Sequence, residues 1–308
     1  MYNRLLVALD GSELSEGILP YARSFAKTLE IPVELLHVVN PNHFLHSVFA
    51  HHGRYYDIMA AEKNRSIDYL RKIATSFSDS ASSVDCSVET GNPAEVIVHR
   101  AASHAGNLIA MTTHGRSGTK QWLLGGIAEK VLRAATNPLF LARSTEDIKL
   151  RDRAVLKTLL VPLDGSGLAE TVLPHVAELA KKMNLELVLV RVHLMAEGVY
   201  PTEHYAPDWE RLNEEIRKEA NLYLQQKTQQ LQREGLQRVS SLLLEGNAAE
   251  KIIDLARERA PSLIAMCSHG KTGVGRGVLG IVTDRIVRHS RDAVMIIRPT
   301  TDNPRSAS

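Results

Sequence analysis

The chain says nearly the same thing twice, about 155 residues apart. Asp10-Gly11-Ser12 recurs as Asp164-Gly165-Ser166, an offset of 154 (164 − 10). His114-Gly115 recurs as His269-Gly270, Gly125 as Gly280 and Arg143 as Arg298, each at an offset of 155. A drift of one residue across a whole half describes two copies of one domain, since solenoid units run roughly 20–50 residues. Each half must therefore bury its own core, and the function must be one that a single half can perform, or a pair together.

A length of 308 residues accommodates two such domains. The expected division is 1–145 and 154–300, with a charged linker at 146–153 and a polar, disordered tail at 301–308. A hydrophobic content of 44% with 23% charged residues is that of a soluble globular chain. The net charge of +2 argues against a large basic nucleic-acid footprint, and 5% aromatics against base-stacking platforms. Cys86 and Cys267 are not at equivalent positions and build neither a disulfide framework nor a zinc spacing, which suits a reducing cytoplasm. Met1-Tyr2-Asn3-Arg4 enters a strand without a signal-peptide pattern, and no apolar stretch reaches the length of a membrane span. Neither nucleic acid nor membrane is expected as a partner, and a cytoplasmic location is.

Within each copy, apolar runs alternate with segments of helical spacing. Leu5-Leu6-Val7-Ala8-Leu9 and its twin at 158–163 are short continuous runs, as in strands covered on both faces. After each Asp-Gly-Ser, Leu173, Val176, Ala177 and Ala180 mark a helical apolar face in copy two, and Ser12 and Ser166 suit helix N-caps. Second runs follow at 33–39 and 185–192. The least similar stretches, 40–57 and 193–208, read as long loops, and long polar helices begin near Ala60 and Trp209. Gly91-Asn92-Pro93-Ala94-Glu95 and Gly246-Asn247-Ala248-Ala249-Glu250 open further helices that feed strands at 108–111 and 263–266. Last come helices near Gly126 and Ile281 and strands at 139–142 and 294–297. The pattern predicts an α/β protein with two open, mostly parallel five-stranded sheets flanked by helices, doubly wound.

In such sheets ligands bind beyond the carboxyl ends of the strands, where strand order reverses. Three features converge there. Asp10 or Asp164 follows the first strand, after Leu9 or Leu163. Val38 or Val192 ends the second. A glycine-bearing loop follows the strand that ends in Met111 or Met266. That loop reads Thr112-Thr113-His114-Gly115-Arg116 through Gly125-Gly126, and Cys267-Ser268-His269-Gly270-Lys271 through Gly280-Ile281. Glycines let backbone N–H groups approach a phosphate, and the helix that follows adds its unpaired N–H groups and positive dipole end. Arg116 and Lys271 place a cation beside it.

Both copies resemble universal stress protein domains over essentially their whole length. The likeness rests on the Asp-Gly-Ser after the first strand, the Gly-x-x-Ala-Glu helix start, and the His-Gly-(Arg/Lys)-(Ser/Thr)-Gly loop leading to a Leu-Gly step. It implies the adenine nucleotide α-hydrolase-like arrangement. In nucleotide-binding members of that family the loop reads Gly-x-x-Gly, nine residues, then Gly-(Ser/Thr). The Asp and the end of the second strand hold the adenosine, and the loop holds the phosphates. Here Thr112 and Cys267 occupy the first glycine slot, and Gly126 and Ile281 the Ser/Thr slot. The resemblance implies ATP or AMP as ligand, with magnesium in company with ATP; because Ile281 adds bulk where Gly126 keeps only a backbone N–H, copy one is the expected better site. It also implies pairing through the last strand, between the two copies or in a homodimer.

Competing readings apply to the same residues. Asp10 and Asp164 can cap a helix, the glycines can shape a tight loop, and His114 and His269 can fix that loop by hydrogen bonds. His43, His46, His51 and His52 look like a metal cluster, but copy two has only His193 and His204 nearby. Gly275-x-Gly277-x-x-Gly280 matches a dinucleotide fingerprint but follows the wrong strand and lacks a counterpart in copy one. No Walker A loop and no nameable Ser-His-Asp set occurs. Three functions remain: a stress-response sensor or regulator binding an adenine nucleotide, a nucleotide-independent scaffold, and a slow ATPase.

Overall fold

The computed structural model describes residues 2–44, 55–104, 106–115, 124–145, 152–194, 209–270 and 279–299. The chain divides into two compact units, Met1–Val155 and Leu156–Ser308.

In the first unit the chain runs β1 (Arg4–Leu9), α1 (Glu13–Glu16), α2 (Leu19–Leu29), β2 (Val33–Val39), α3 (Tyr55–Ala74), β3 (Val84–Thr90), α4 (Pro93–Ala102), β4 (Asn107–Thr112), α5 (Gly126–Ala134) and β5 (Leu139–Ala142). The strand order is β3-β2-β1-β4-β5, so order reverses between β1 and β4. Its ladders are parallel: Leu5 lies opposite Val33 and Leu108, and Ile109 opposite Leu139. Leu5, Leu6 and Val7 are buried outright because β1 is central and helices cover both its faces. Each fully buried aliphatic side chain there contributes roughly 1.5–3 kcal/mol.

The second unit repeats the plan with β6 (Thr158–Pro162), α6 (Gly167–Glu170), α7 (Leu173–Met183), β7 (Glu186–His193), α8 (Trp209–Arg233), β8 (Val239–Glu245), α9 (Ala248–Glu258), β9 (Ser262–Cys267), α10 (Ile281–His289) and β10 (Ala293–Ile297). Its order is β8-β7-β6-β9-β10, again with parallel ladders. Pro162 is tolerated in the central strand because the β6–β9 ladder runs from Thr158 to Leu160 and has ended before it.

Local sequence sets the turns that position the crevice. Gly11 and Gly165 hold φ of 78° and 85°, a left-handed turn suited to glycine. Ser12 Oγ accepts from Ser15 N at 3.2 Å and Ser166 Oγ from Ala169 N at 3.2 Å. Both serines are thus the N-caps expected of them, each worth about 1 kcal/mol. The helical spacing read as one helix after each cap is two helices, α1 then α2 and α6 then α7, with Pro20 or Pro174 in the first turn of the second. Helix α3 begins at Tyr55, earlier than the Ala60 predicted.

The charged stretch after β5 is fastened to the first unit where it is described. Arg23 Nε donates to Asp152 O at 2.5 Å, Arg153 Nη2 to Ser80 Oγ at 3.1 Å and Ala154 N to Pro20 O at 3.0 Å. A second buried charge belongs to copy one alone. Glu34, 1% exposed, accepts from Arg100 Nε at 2.7 Å and Ser87 Oγ at 2.9 Å, with Arg4 Nη2 at 3.2 Å. The equivalent position in copy two (34 + 154) is the apolar Val188. No described helix is long and apolar enough to cross a membrane.

Candidate functional site

At the carboxyl ends of β1, β2 and β4 in copy one lies a cavity of about 240 Å³. Leu9 and Asp10 line it from the end of β1, Val38 from β2, and Met111 and Thr112 from β4. His114 and Gly115 follow in the loop, and Gly125 and Gly126 close it at the start of α5. The structure therefore brings together nine of the ten copy-one residues singled out from sequence; Arg116 lies outside the described residues. Sequence reasoning missed Ser15, His37, Glu62, Pro93 and Ile97, which also line it. The repeated Asn92-Pro93-Ala94 helix start flags Pro93; Glu62 sits in a polar helix and carries no local signal.

Asp10 organises the turn. Its Oδ1 accepts from Ser12 N at 3.0 Å and from Ser12 Oγ at 2.6 Å. Its Oδ2 lies against Gly115: a Cβ on that glycine would come closer to the oxygen than the 3.0 Å that real Cβ atoms keep. Asp164 does the same in copy two, accepting from Ser166 N at 2.9 Å and Ser166 Oγ at 2.6 Å, with Oδ2 against Gly270. The aspartate thus orders the Asp-Gly-Ser turn beside the cap while Ser12 or Ser166 supplies the cap itself. The second glycine of the motif makes room for a carboxylate.

The loop after β4 is fixed by its own polar groups. Thr112 Oγ1 donates to His114 O at 2.6 Å, so the residue in the first glycine slot ties down a loop carbonyl. Thr113 Oγ1 meets His114 Nδ1 at 3.0 Å, and Ser268 Oγ meets His269 Nδ1 at 2.9 Å. Nε2 of both histidines is buried and has no hydrogen-bond partner among the described residues. Burial, then the nearby Arg143 or Arg298, holds each imidazole below its usual pKa. Both are kept neutral, in loop-fixing positions. Gly125 N donates to Thr113 O at 2.8 Å, and Gly280 N to Ser268 O at 3.0 Å.

The two copies part company at the Ser/Thr slot. A Cβ at Gly126 would meet none of the described residues within 4 Å. Ile281, the first residue of α10, is 78% exposed. Cys267, in the slot of Thr112, is buried, and its Sγ accepts from Thr171 Oγ1 at 3.5 Å. Leu163 and Met266 are buried at the ends of β6 and β9, and Val192 is half-buried in β7. Lys271 lies outside the described residues, as do most of the fingerprint that ends at Gly280 and His46, His51, His52 and His204. The side chain of His43 lies outside them too. His193 is buried, with Nε2 4.0 Å from Glu245 Oε2. Among the described residues no group of three or more His, Cys, Asp or Glu is placed to hold a metal ion.

Beneath the turn, the side chains differ between the copies as well. His37 stacks edge-on to Tyr69, with ring centroids 6.4 Å apart. At the equivalent place Arg191 lies 5.2 Å over the Tyr223 ring, with Glu219 at 3.4 Å. Burial and the neighbouring Glu16 or Glu170 push both phenols above their ordinary pKa, so both remain protonated.

Comparison with known proteins finds one family. The model of the universal stress protein family matches residues 1–143 and again 156–298. A universal stress protein of Mycolicibacterium smegmatis is 20% identical over 295 residues, covering 96% of this chain and 97% of its own. Another, from Methanocaldococcus jannaschii, is 27% identical over 143 residues, 46% of this chain and 82% of its own. Among solved structures, a universal stress protein from Archaeoglobus fulgidus superposes with a TM-score of 0.69 at 21% identity, covering 98% of each chain.

Proposed function

The chain belongs to the universal stress protein family in tandem form, and from that premise we propose that it is a stress-response sensor or regulator whose first copy binds an adenine nucleotide. One observation carries the reading: the copy-one residues that would hold adenosine and phosphates line a single cavity of about 240 Å³. Apolar walls from Leu9, Val38 and Met111 suit a purine, and Asp10 offers a carboxylate to ribose hydroxyls. The start of α5 offers backbone N–H groups to a phosphate. The ligand is ATP, AMP or a related adenine compound; a magnesium ion, where one takes part, comes in with the triphosphate.

Copy two is the weaker site on this reading. Both copies lack the motif hydroxyl, and Ile281 adds bulk where Gly126 has no side chain. The test is to denature freshly purified protein and chromatograph the released small molecules, then titrate the emptied protein with adenine nucleotides. Release of an adenine compound, or titration to about one site per chain, supports the proposal; the absence of both overturns it.

A nucleotide-independent scaffold is the second reading, favoured by the loss of the motif hydroxyl at both Gly126 and Ile281. Slow ATP hydrolysis is a third, and phosphate release abolished in Asp10→Ala would support it. Pairing through the last strand, within one chain or in a homodimer, is the assembly the family resemblance implies; light scattering of the full chain reports the homodimer.

A further inference from the structure

We propose that the second copy carries a separate site for a phosphomonoester at the amino ends of its strands, opposite the ends where the Asp164-Gly165-Ser166 turn sits. A cavity of about 380 Å³ opens there, within the roughly 300–1,000 Å³ of ordinary small-ligand pockets. Lys157, Arg238 and Arg259 line it together with Asn184 and Glu186. Lys157 precedes β6, Asn184 and Glu186 stand at the start of β7, Arg238 precedes β8 and Arg259 precedes β9. Cations from three separate connections thus converge on one cavity. The five connections at this end of copy two, 156–157, 184–185, 234–238, 259–261 and 290–292, all lie within the described residues.

The backbones that carry these side chains are stitched together. Lys157 N donates to Pro261 O at 3.0 Å, Glu186 N to Lys157 O at 2.9 Å and Leu187 N to Arg238 O at 2.9 Å. Both arginines are anchored as well: Arg238 Nη1 donates to Asn184 O at 2.9 Å, and Arg259 Nη1 to Glu186 Oε1 at 3.1 Å. Each anchor uses one of a guanidinium's five N–H donors and leaves the rest of the planar fork for phosphate oxygens. Side chains already held in place lose less freedom when a ligand arrives.

Charge selects the ligand. Three cations and one carboxylate give the lining a net charge of +2 (3 − 1), and a phosphomonoester carries about −1.5 to −2 near pH 7. Its charge is concentrated on three oxygens that a guanidinium fork grips in pairs, whereas a dicarboxylate spreads the same charge over two ends. Leu156 and Ala260 in the lining offer apolar surface to the organic part. The fold does not require these cations. In copy one the positions equivalent to Lys157, Arg238 and Arg259 (157 − 154, 238 − 155 and 259 − 155) hold Asn3, Ser83 and His104. The basic cavity is therefore a feature of copy two, and it stands apart from the nucleotide reading of copy one.

The experiment is calorimetric titration of the full chain with glycerol 2-phosphate, in a phosphate-free buffer at fixed low ionic strength. Wild type should show saturable binding at about one site per chain. Lys157→Gln and Arg238→Gln should each weaken it about tenfold, the low end for a lost charge-assisted hydrogen bond because both residues are exposed. Lys218→Gln removes a lysine of α8 that pairs with Glu214 and lies outside the lining, so it should leave the affinity within twofold. Succinate should bind at least tenfold more weakly than the phosphate, and thermal melting of the unliganded variants checks that they remain folded. Absence of saturable binding, or binding that Lys157→Gln and Arg238→Gln leave unchanged, overturns the site. Succinate binding as tightly as glycerol 2-phosphate overturns the phosphomonoester as its ligand. Adenine nucleotide binding in copy one stands or falls by its own titration.

Discussion

Replacing Gly126 with serine restores the hydroxyl that the family's nucleotide loop carries, and none of the described residues crowds the new Cβ. Gly126 is the first residue of α5, and Gly125 before it is the N-cap in extended conformation. A Cβ at 126 meets none of the described residues within 4 Å. Serine also has a better helix propensity than glycine, by a few tenths of a kcal/mol, so the fold should not suffer. A hydrogen bond from the new hydroxyl to a phosphate is worth roughly 1.5–3 kcal/mol, or about 10–100-fold in affinity. Titration of Gly126→Ser with AMP should show that gain. Adenosine has no phosphate and supplies the internal control: its affinity should stay within twofold. Ile281→Ser makes the matching change in copy two, where the 78% exposed isoleucine can be removed at little cost to the core. An AMP affinity unchanged or weakened in Gly126→Ser, or one that rises equally for adenosine, refutes the placement of phosphate at the start of α5.

Gly115→Ala should cost about 1–3 kcal/mol, typical of overpacking, because its Cβ displaces Asp10 Oδ2; an unshifted melting transition contradicts that contact. Glu34→Ala should lower stability by about 3 kcal/mol in denaturant titration, at the low end for a broken buried ion pair because Arg100 is 36% exposed; a loss under 1 kcal/mol would mean the pair is effectively solvated. Because the folded state holds His114 and His269 below their ordinary pKa of 6.5, the unfolded chain binds more protons between the two values, so stability is complete above pH about 6.5 and erodes as pH falls. Melting curves from pH 7.5 to 5 should show a slope that shrinks in His114→Gln/His269→Gln; an equal slope in that variant assigns the effect elsewhere.

The strands legible in the sequence are those buried on both faces. Leu5 to Leu9 and Leu108 to Met111 are continuous apolar runs because β1 and β4 are central. β3 has a neighbour on one side only and is half-exposed, so Val-Asp-Cys-Ser-Val-Glu-Thr carries no comparable signal. Five strands per copy followed from the alternation, but the third could not be located. Local chemistry was equally readable: Ser12 and Ser166 cap helices through groups three residues away. The Asp10–Gly115 contact was not, since it joins residues 105 positions apart (115 − 10) that only the sheet topology brings together. Glu62 was invisible for the opposite reason, being one polar residue among many on a polar helix.

The paired copies separate what holds the fold from what shapes the crevice. The aspartate, its serine partners and the glycine it packs against recur in both with nearly the same distances. That contact is by itself a sufficient reason for Gly115 and Gly270, so the glycines alone do not argue for a ligand in either copy. The differences gather around the crevice mouth and beneath the turn: Gly126 against Ile281, Glu62 against Ile216, His37 against Arg191. None is needed by the scaffold, which tolerates either residue at each position. One architecture therefore carries different side chains at the corresponding carboxyl ends of its two copies. If a phosphate binds at the starts of α5 and α10, equal affinity in both copies would require Gly126 and Ile281 to be equivalent surroundings for it, so a titration that resolves two equal sites per chain refutes the proposed ranking.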